Sequence, residues 1–377
     1  MDFNYTDEQN ALRDTLSRYI VKDYPFEARR ALAKSADGFS REHWKQFAEL
    51  VLLALPFPED FGGLSVTGGN AVDTLLVMEA FGRGLVLEPY LSTVIVAGGL
   101  VRDAGSAAQK EALLPAIAGG ERMLALAHYE RGARYEVSRV DTAAKADGAG
   151  WKLSGSKAVV LGGGAADRLL VSANTGKGIS LFLVDAKAAG VSVRSYMTQD
   201  GGRAAEVRLD NVAVGADALI GAQDGALPAI ERALDYGIAA MCAEAVGIMA
   251  ALDEATLEYL KTRKQFGQPI GRFQALQHRM VDMVIATEQS RSMAMMAAVK
   301  VDSDDATERR RAISAAKAYI GQQARFVGQQ AVQLHGGMGV VDELNVSHWF
   351  KRLTMIELTF GNTDHHLGLF SDTLLAA

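Results

Sequence analysis

Two glycine-bearing segments in the C-terminal half carry residue types suited to gripping a ligand. Gln333-Leu334-His335-Gly336-Gly337-Met338-Gly339 closes a long helical stretch. Its glycines read either as a helix C-cap or as a place where backbone comes close to a phosphate or an adenine ring, with Gln333 as the polar handle. Arg263-Lys264-Gln265-Phe266-Gly267 closes another helix. Arg263 either complements the helix dipole or holds a pyrophosphate with its two-pronged guanidinium. Pattern alone leaves both choices open.

Other constellations are missing from the sequence. There is no P-loop, no glycine fingerprint between a strand and a helix, no zinc-protease histidine pair and no nucleophile elbow. His365 and His366 are adjacent; on a helix their side chains point about 100° apart and do not readily chelate one ion. No metal site is expected. The single cysteine, Cys242, excludes an internal disulfide and any cysteine-built zinc or iron–sulfur site. Met241, Met249, Met280 and Met283 sit at helical spacing and read as core before they read as the lining of a broad pocket.

The elements that must position these residues follow from composition and periodicity. The chain has 377 residues, 49% hydrophobic and 22% charged, which is globular and long enough for two or three domains. A net charge of −6 lacks the basic surplus of a nucleic-acid binder. Only 7 prolines occur, none after Pro269, so long uninterrupted helices are expected at the C-terminal end. Met1-Asp2-Phe3-Asn4 lacks the basic start of a signal peptide. No apolar run reaches the roughly 18 residues of a membrane span, so the expected location is cytoplasmic, without membrane.

Residues 1–121 read as a helical domain. Thr6 and Gln9 have capping-box form, Ser40 is placed to cap a helix through Trp44 and Phe47, and two helical stretches fall near 67–82 and 90–103. Residues 122–224 read as a β domain of seven short strands separated by glycine and asparagine turns, an antiparallel barrel or sandwich. Residues 225–377 return to the helical period. Ile230, Leu234, Ile238, Met241, Ala245, Ile248 and Leu252 form one stripe, and further helices are expected over about 273–301 and from Asp305, capped with Glu308, to about Leu334.

At this point the pattern is recognisable. Tyr259-x-x-x-Arg263-x-x-Phe266-Gly267-x-x-Ile270-x-x-Phe273-Gln274 and the Gln333 motif resemble the acyl-CoA dehydrogenase family. Pro58 to Gly63, Trp151 to Lys157 and Val207 to Gly221 support the match over essentially the whole chain. The resemblance implies an α+β, mainly α fold: an N-terminal helical domain, a central antiparallel β-barrel or sandwich and a C-terminal four-helix bundle. It implies FAD as cofactor, an acyl-CoA thioester as substrate and an electron-transferring flavoprotein as acceptor. In the family a glutamate takes the α proton while the flavin takes the β hydride. The Arg-x-x-Phe-Gly and Gln-x-x-Gly-Gly elements reach across a subunit interface to the adenine and pyrophosphate of the neighbour's FAD. The cofactor-binding residues so implied are Arg263, Phe266, Gln274, Gln333, Gly336, Gly337 and Asn362.

Three departures stand out. The base position falls on Phe360, or on Gly361 if the alignment slides by one, and the alternative base position on the first bundle helix falls on Gly237 and Ile238. None of these can abstract a proton. The family's flavin-contacting loop is replaced by Tyr129-Glu130-Arg131-Gly132-Ala133-Arg134-Tyr135-Glu136, and its flavin wall by Val159-Val160-Leu161. The pattern resembles the small subunits of two-gene acyl-CoA dehydrogenases, such as those for pimeloyl-CoA, and implies a heterotetramer with a paralogous subunit. Two alternatives stay open: a self-sufficient homo-oligomer with a relocated carboxylate among Glu244, Asp235, Glu357 and Asp364, and a non-catalytic binding or scaffold member.

Overall fold

A computed structural model describes residues 5–66 and 68–375. The N-terminal tetrapeptide and residue 67, the first of the expected 67–82 stretch, lie outside the described residues. Thr6 and Gln9 make a full capping box that starts α1 (Asp7–Asp23). After α2 (Phe26–Ala33), the Ser40 hydroxyl accepts the His43 amide and opens α3 (Arg41–Glu49). The next two expected helices are α4 (Ala71–Gly84) and a π-helical Leu91–Ala97 that runs into α5 (Gly98–Ala104). The sequence reading did not include α2 or α6 (Ala107–Ala118), although Ser106 and Gln109 form a second capping box.

The strands are β1 (Leu124–Ala127), β2 (Ala143–Asp147), β3 (Gly150–Leu161), β4 (Arg168–Asn174), β5 (Ile179–Asp185), β6 (Val191–Met197), β7 (Arg203–Val214) and the short β8 (Leu219–Ile220). They form one sheet in the order β6-β7-β3-β2-β4-β5-β8, with β1 also on β4. Every ladder is antiparallel except those that β1 and β2 make with β4. Alternate residues of each strand turn inward and build a core that includes Leu153, Leu169, Val171, Phe182, Val207 and Val212.

Long helices follow: α7 (Leu227–Thr262), a hairpin of β9 (Lys264–Gln265) and β10 (Gln268–Pro269), α8 (Gln274–Lys300), α9 (Ala306–His335), α10 (Asn345–Leu358) and α11 (Thr363–Leu375). Asp305 caps α9 through the Thr307 and Glu308 amides, but the Glu308 side chain pairs with Lys300 and Ser303 instead of closing the expected box. By length and composition α7 is apolar enough to cross a membrane, but 94% of its most apolar window is buried inside the protein.

Contacts divide the chain into two compact units. One comprises Met1–Ala31, Ala71–Val86 and Ile238–Ala377; the other comprises Leu32–Asn70 and Leu87–Gly237. The first holds α1, α4, α8 to α11 and most of α7. In it α4 and α7 cross at glycines. A Cβ on Gly82 would lie 2.1 Å from the Glu244 carbonyl oxygen, and one on Gly247 1.9 Å from that of Glu79. Any side chain there would push the two backbones apart. The second unit holds the sheet with α3, α5 and α6.

Candidate functional site

The two glycine-bearing segments meet in the helical unit. Arg263 directly follows α7, and the β9–β10 hairpin turns at Phe266 and Gly267, with φ of 53° and 78°. Two consecutive positive φ values make a type I′ turn, a conformation that disfavours a bulky side chain in the first position. Phe266 nevertheless adopts it and is 89% exposed. Its ring meets Phe273 edge-on, centroids 6.0 Å apart, next to Gln274 at the start of α8.

At the end of α9, Gly336 is the C-cap with φ 60°, and its amide donates to the Gln333 carbonyl. The C-cap reading therefore holds. It also leaves room for close approach, since beyond the immediate chain neighbours no atom of the described residues lies within 4 Å of where a Cβ on Gly336 or Gly337 would stand. Tyr259, one turn before Arg263, stacks on His335 with centroids 4.4 Å apart. Arg263, Phe266, Gln274, Gln333, Gly336 and Gly337 are all exposed. The side chains of Arg263, Gln274 and Gln333 make no hydrogen bond among the described residues. Together these free polar groups and open glycines fit the nucleotide end of FAD. Asn362 is placed differently: its side-chain oxygen accepts the His365 amide at 3.1 Å and caps α11.

The turn between α10 and α11 carries the expected base positions. The Lys317 ammonium donates to the carbonyls of Ile356, Glu357 and Gly361 at 2.7, 2.9 and 2.9 Å. Nε2 of His366 donates to the Phe360 carbonyl at 3.1 Å, and its Nδ1 lies 3.3 Å from the Ser314 hydroxyl. Burial, then the Lys317 charge, pulls the His366 pKa down to about 3. A Cβ on Gly361 would lie 2.5 Å from Cδ2 of His365 and 2.7 Å from Nε2 of His366. With φ at 113°, the position admits glycine and no carboxylate-bearing residue without displacing both rings. Phe360 takes a left-handed φ of 59°. Gly237 is buried within α7.

The relocated-base candidates are mostly engaged. Arg352 grips Glu244 with both prongs at 2.6 and 2.7 Å. Glu357 accepts the Thr363 amide at 3.1 Å and lies 3.5 Å from Arg325. Asp235 is buried.

In the sheet unit, the first of the three positions expected at the family's flavin wall, Val159, sits at a β-bulge of β3 against β7 between Lys157 and Val160, while Val160 and Leu161 pair with Ala205 and Ala204. Val159 adopts a φ of 52° and is half exposed, a strained state for a β-branched residue. Bulges re-aim side chains, and here the outward side chain is apolar and offers no hydrogen bond. Arg131 of the preceding loop and Arg194 both pair with Glu206.

Beneath that loop lies a buried cluster that sequence reading missed. Lys157 donates to Glu130, the Ser172 hydroxyl and the His128 carbonyl at 2.7, 3.1 and 3.2 Å. Glu130 also accepts from the Asp141 and Thr142 amides and the Thr142 hydroxyl. Burial lowers the Lys157 pKa to about 8, against the pull of Glu130. Burial raises Glu130, but the Lys157 charge and these bonds outweigh it and leave the carboxyl below its usual range. The signal was a lysine at a position where β3 turns inward. Lys317, four residues after the buried Ile313 on α9, carried the same signal.

Comparison with known proteins gives the family. Models of the acyl-CoA dehydrogenase N-terminal, middle and C-terminal domains match residues 6–121, 125–212 and 224–375. A probable acyl-CoA dehydrogenase of Bacillus subtilis, YngJ, is 29% identical, with 97% of each chain covered. Among solved structures, the Tcur3481-Tcur3483 steroid ACAD superposes with a TM-score of 0.88 at 31% identity over 98% of each chain. The ChsE4-ChsE5 complex from Mycobacterium tuberculosis gives 0.89 at 25% identity over 100% of each. The chain belongs to the acyl-CoA dehydrogenase family of FAD-dependent oxidoreductases.

Proposed function

We propose that this chain is one half of a heteromeric acyl-CoA dehydrogenase and completes the FAD site of a paralogous partner subunit whose own glutamate is the base. One contrast carries the reading. The arms that would reach a neighbour's nucleotide are exposed with free side chains, whereas the turn that should hold the base carries Phe360 and the closely packed Gly361, neither of which is a carboxylate. In this reading Arg263 pairs with the pyrophosphate, Gln333 and Gln274 offer amide contacts, and Gly336 and Gly337 let backbone approach the cofactor. Phe266 supplies an apolar face at the turn. When bound, FAD supplies the two-electron acceptor. Asn362, used as a cap, contributes by fixing α11 beside the base-position turn.

The names of two solved relatives lend support, one a steroid ACAD and the other a complex of two differently named chains. On that analogy the substrate is a bulky acyl-CoA thioester, and an electron-transferring flavoprotein accepts the electrons. We place the enzyme in the cytoplasm and divide the chain functionally at 1–121, 122–224 and 225–377. The test is to purify the chain alone and co-expressed with a neighbouring paralogue. Alone it should turn over no acyl-CoA; together the two should be active. A yellow, active homo-oligomer of this chain would refute the reading.

A further inference from the structure

One stack joins the two arms. Tyr259 lies one turn before Arg263 on α7, and its carbonyl accepts the Arg263 amide at 2.8 Å. His335 is the last residue of α9, two residues after Gln333 and immediately before Gly336. The two rings overlap with centroids 4.4 Å apart and planes 29° apart. The orientation of His335 is fixed from the other side. Its Nδ1 lies 2.8 Å from the Ala331 carbonyl, which only accepts, so Nδ1 carries the proton and Nε2 is left as the acceptor of the neutral ring. Burial holds the imidazole below its ordinary pKa and so keeps it uncharged. The exposed side chains of Arg263 and Gln333 make no hydrogen bond among the described residues, and the stack is a direct contact between the two segments that carry them.

We propose that Tyr259 and His335 are positioning residues: their stack fixes the separation of Arg263 from Gln333, and thereby the fit of the nucleotide end of FAD. This rests on the heteromeric reading above. A ligand that spans two arms gains from their being held at the right spacing before it binds. Loss of the stack then weakens binding without removing any group that touches the ligand.

Two measurements test it. The first is hydrogen exchange on the purified chain, without cofactor. Tyr259→Leu should speed exchange in residues 336–340, and His335→Ala should speed it in residues 263–268, each reaching across to the other arm. Loosening confined to the mutated residue's own segment would overturn the coupling. The second is FAD affinity of the deflavinated complex with the paralogue. His335→Ala should weaken it by about tenfold, and His335→Phe, which keeps a stacking ring, should restore most of it. Unchanged affinity in His335→Ala, or a His335→Phe complex as weak as the alanine variant, would overturn the positioning role alone. A wild-type complex that binds no FAD would overturn the heteromeric reading and the positioning role with it.

Discussion

The Lys317 ammonium donates a 2.9 Å hydrogen bond to the carbonyl of Gly361, one of the two residues at the expected base position. The same ammonium holds the last carbonyls of α10, which no intrahelical amide reaches. A buried cation thus closes a helix end and locks the turn after it. Replacing it with methionine leaves three buried carbonyls without their donor. Lys317→Met should destabilise the protein by about 2–4 kcal/mol, read from chemical denaturation at pH 7.

The same lysine gives an alkaline signature. Burial lowers its pKa to about 8 from the ordinary 10.5. Between those values the unfolded chain holds the proton and the folded chain does not, so stability rises with pH through this window. Lys157 acts in the same direction. Denaturation midpoints measured from pH 7.5 to 10 should show a smaller rise in Lys317→Met than in the wild type.

Acid has the opposite effect through two histidines. Burial lowers His128 and His366 to about 3, with the neighbouring Lys157 and Lys317 charges adding to it. Unfolded histidines take up protons near the ordinary 6.5, so stability is present above that value and is lost as pH falls toward 3. His366→Gln should flatten the acid limb of the stability curve, while lowering stability at pH 7 through the lost Phe360 contact.

Gly361 should tolerate no side chain. Gly361→Ala meets both His365 and His366 at a φ of 113° and should cost about 2–4 kcal/mol in thermal or chemical melts. Phe360→Glu places a carboxylate at the other expected base position, yet the chain purified alone should still show no turnover, because the side chains at the expected flavin wall, Val159 to Leu161, are apolar. Turnover by that variant alone would mean that only the base had been lost.

The Glu130–Lys157 pair invites a double-mutant cycle. Breaking it from one side, as Glu130→Leu or Lys157→Met, should cost about 3–5 kcal/mol, because it strands a buried polar partner. The double change Glu130→Leu with Lys157→Met should recover part of that loss. Strict additivity of the two single effects would show that the pair is not coupled.

Asp253 behaves differently again. Its Oδ2 accepts the Thr287 hydroxyl at 2.6 Å, while its buried Oδ1 has no partner among the described residues. Burial raises its pKa to about 6 from 3.8, so at neutral pH the fold holds this carboxylate ionised at a cost. Asp253→Asn should stabilise the protein by about 1–3 kcal/mol at pH 7.5, and the gain should vanish below pH 4, where both states hold the proton.

Much of this architecture was legible in the sequence. Thr6 and Ser40 announced helix starts because a short side-chain oxygen satisfies free amides there. The spacing of turn residues revealed the strands of the sheet. The two arms were legible as motifs, and Asp305 as a cap. What escaped depends on contacts between distant segments. Nothing near Lys317 announces that the α10 carbonyls receive it, and nothing near Gly361 announces that histidines four and five residues later close its space. The parallel pairing of β1 with β4 is likewise a long-range choice. Helices α2 and α6 were missed although Ser106 and Gln109 carried a local signal for the second.

Flavin content tests the central claim most directly. In the purified, active complex with the paralogue, absorbance at the flavin band against protein concentration should give about one FAD per two chains, because only the partner's site holds a complete set of contacts. About one FAD per chain, with turnover retained when the partner's glutamate is replaced by glutamine, would contradict the account.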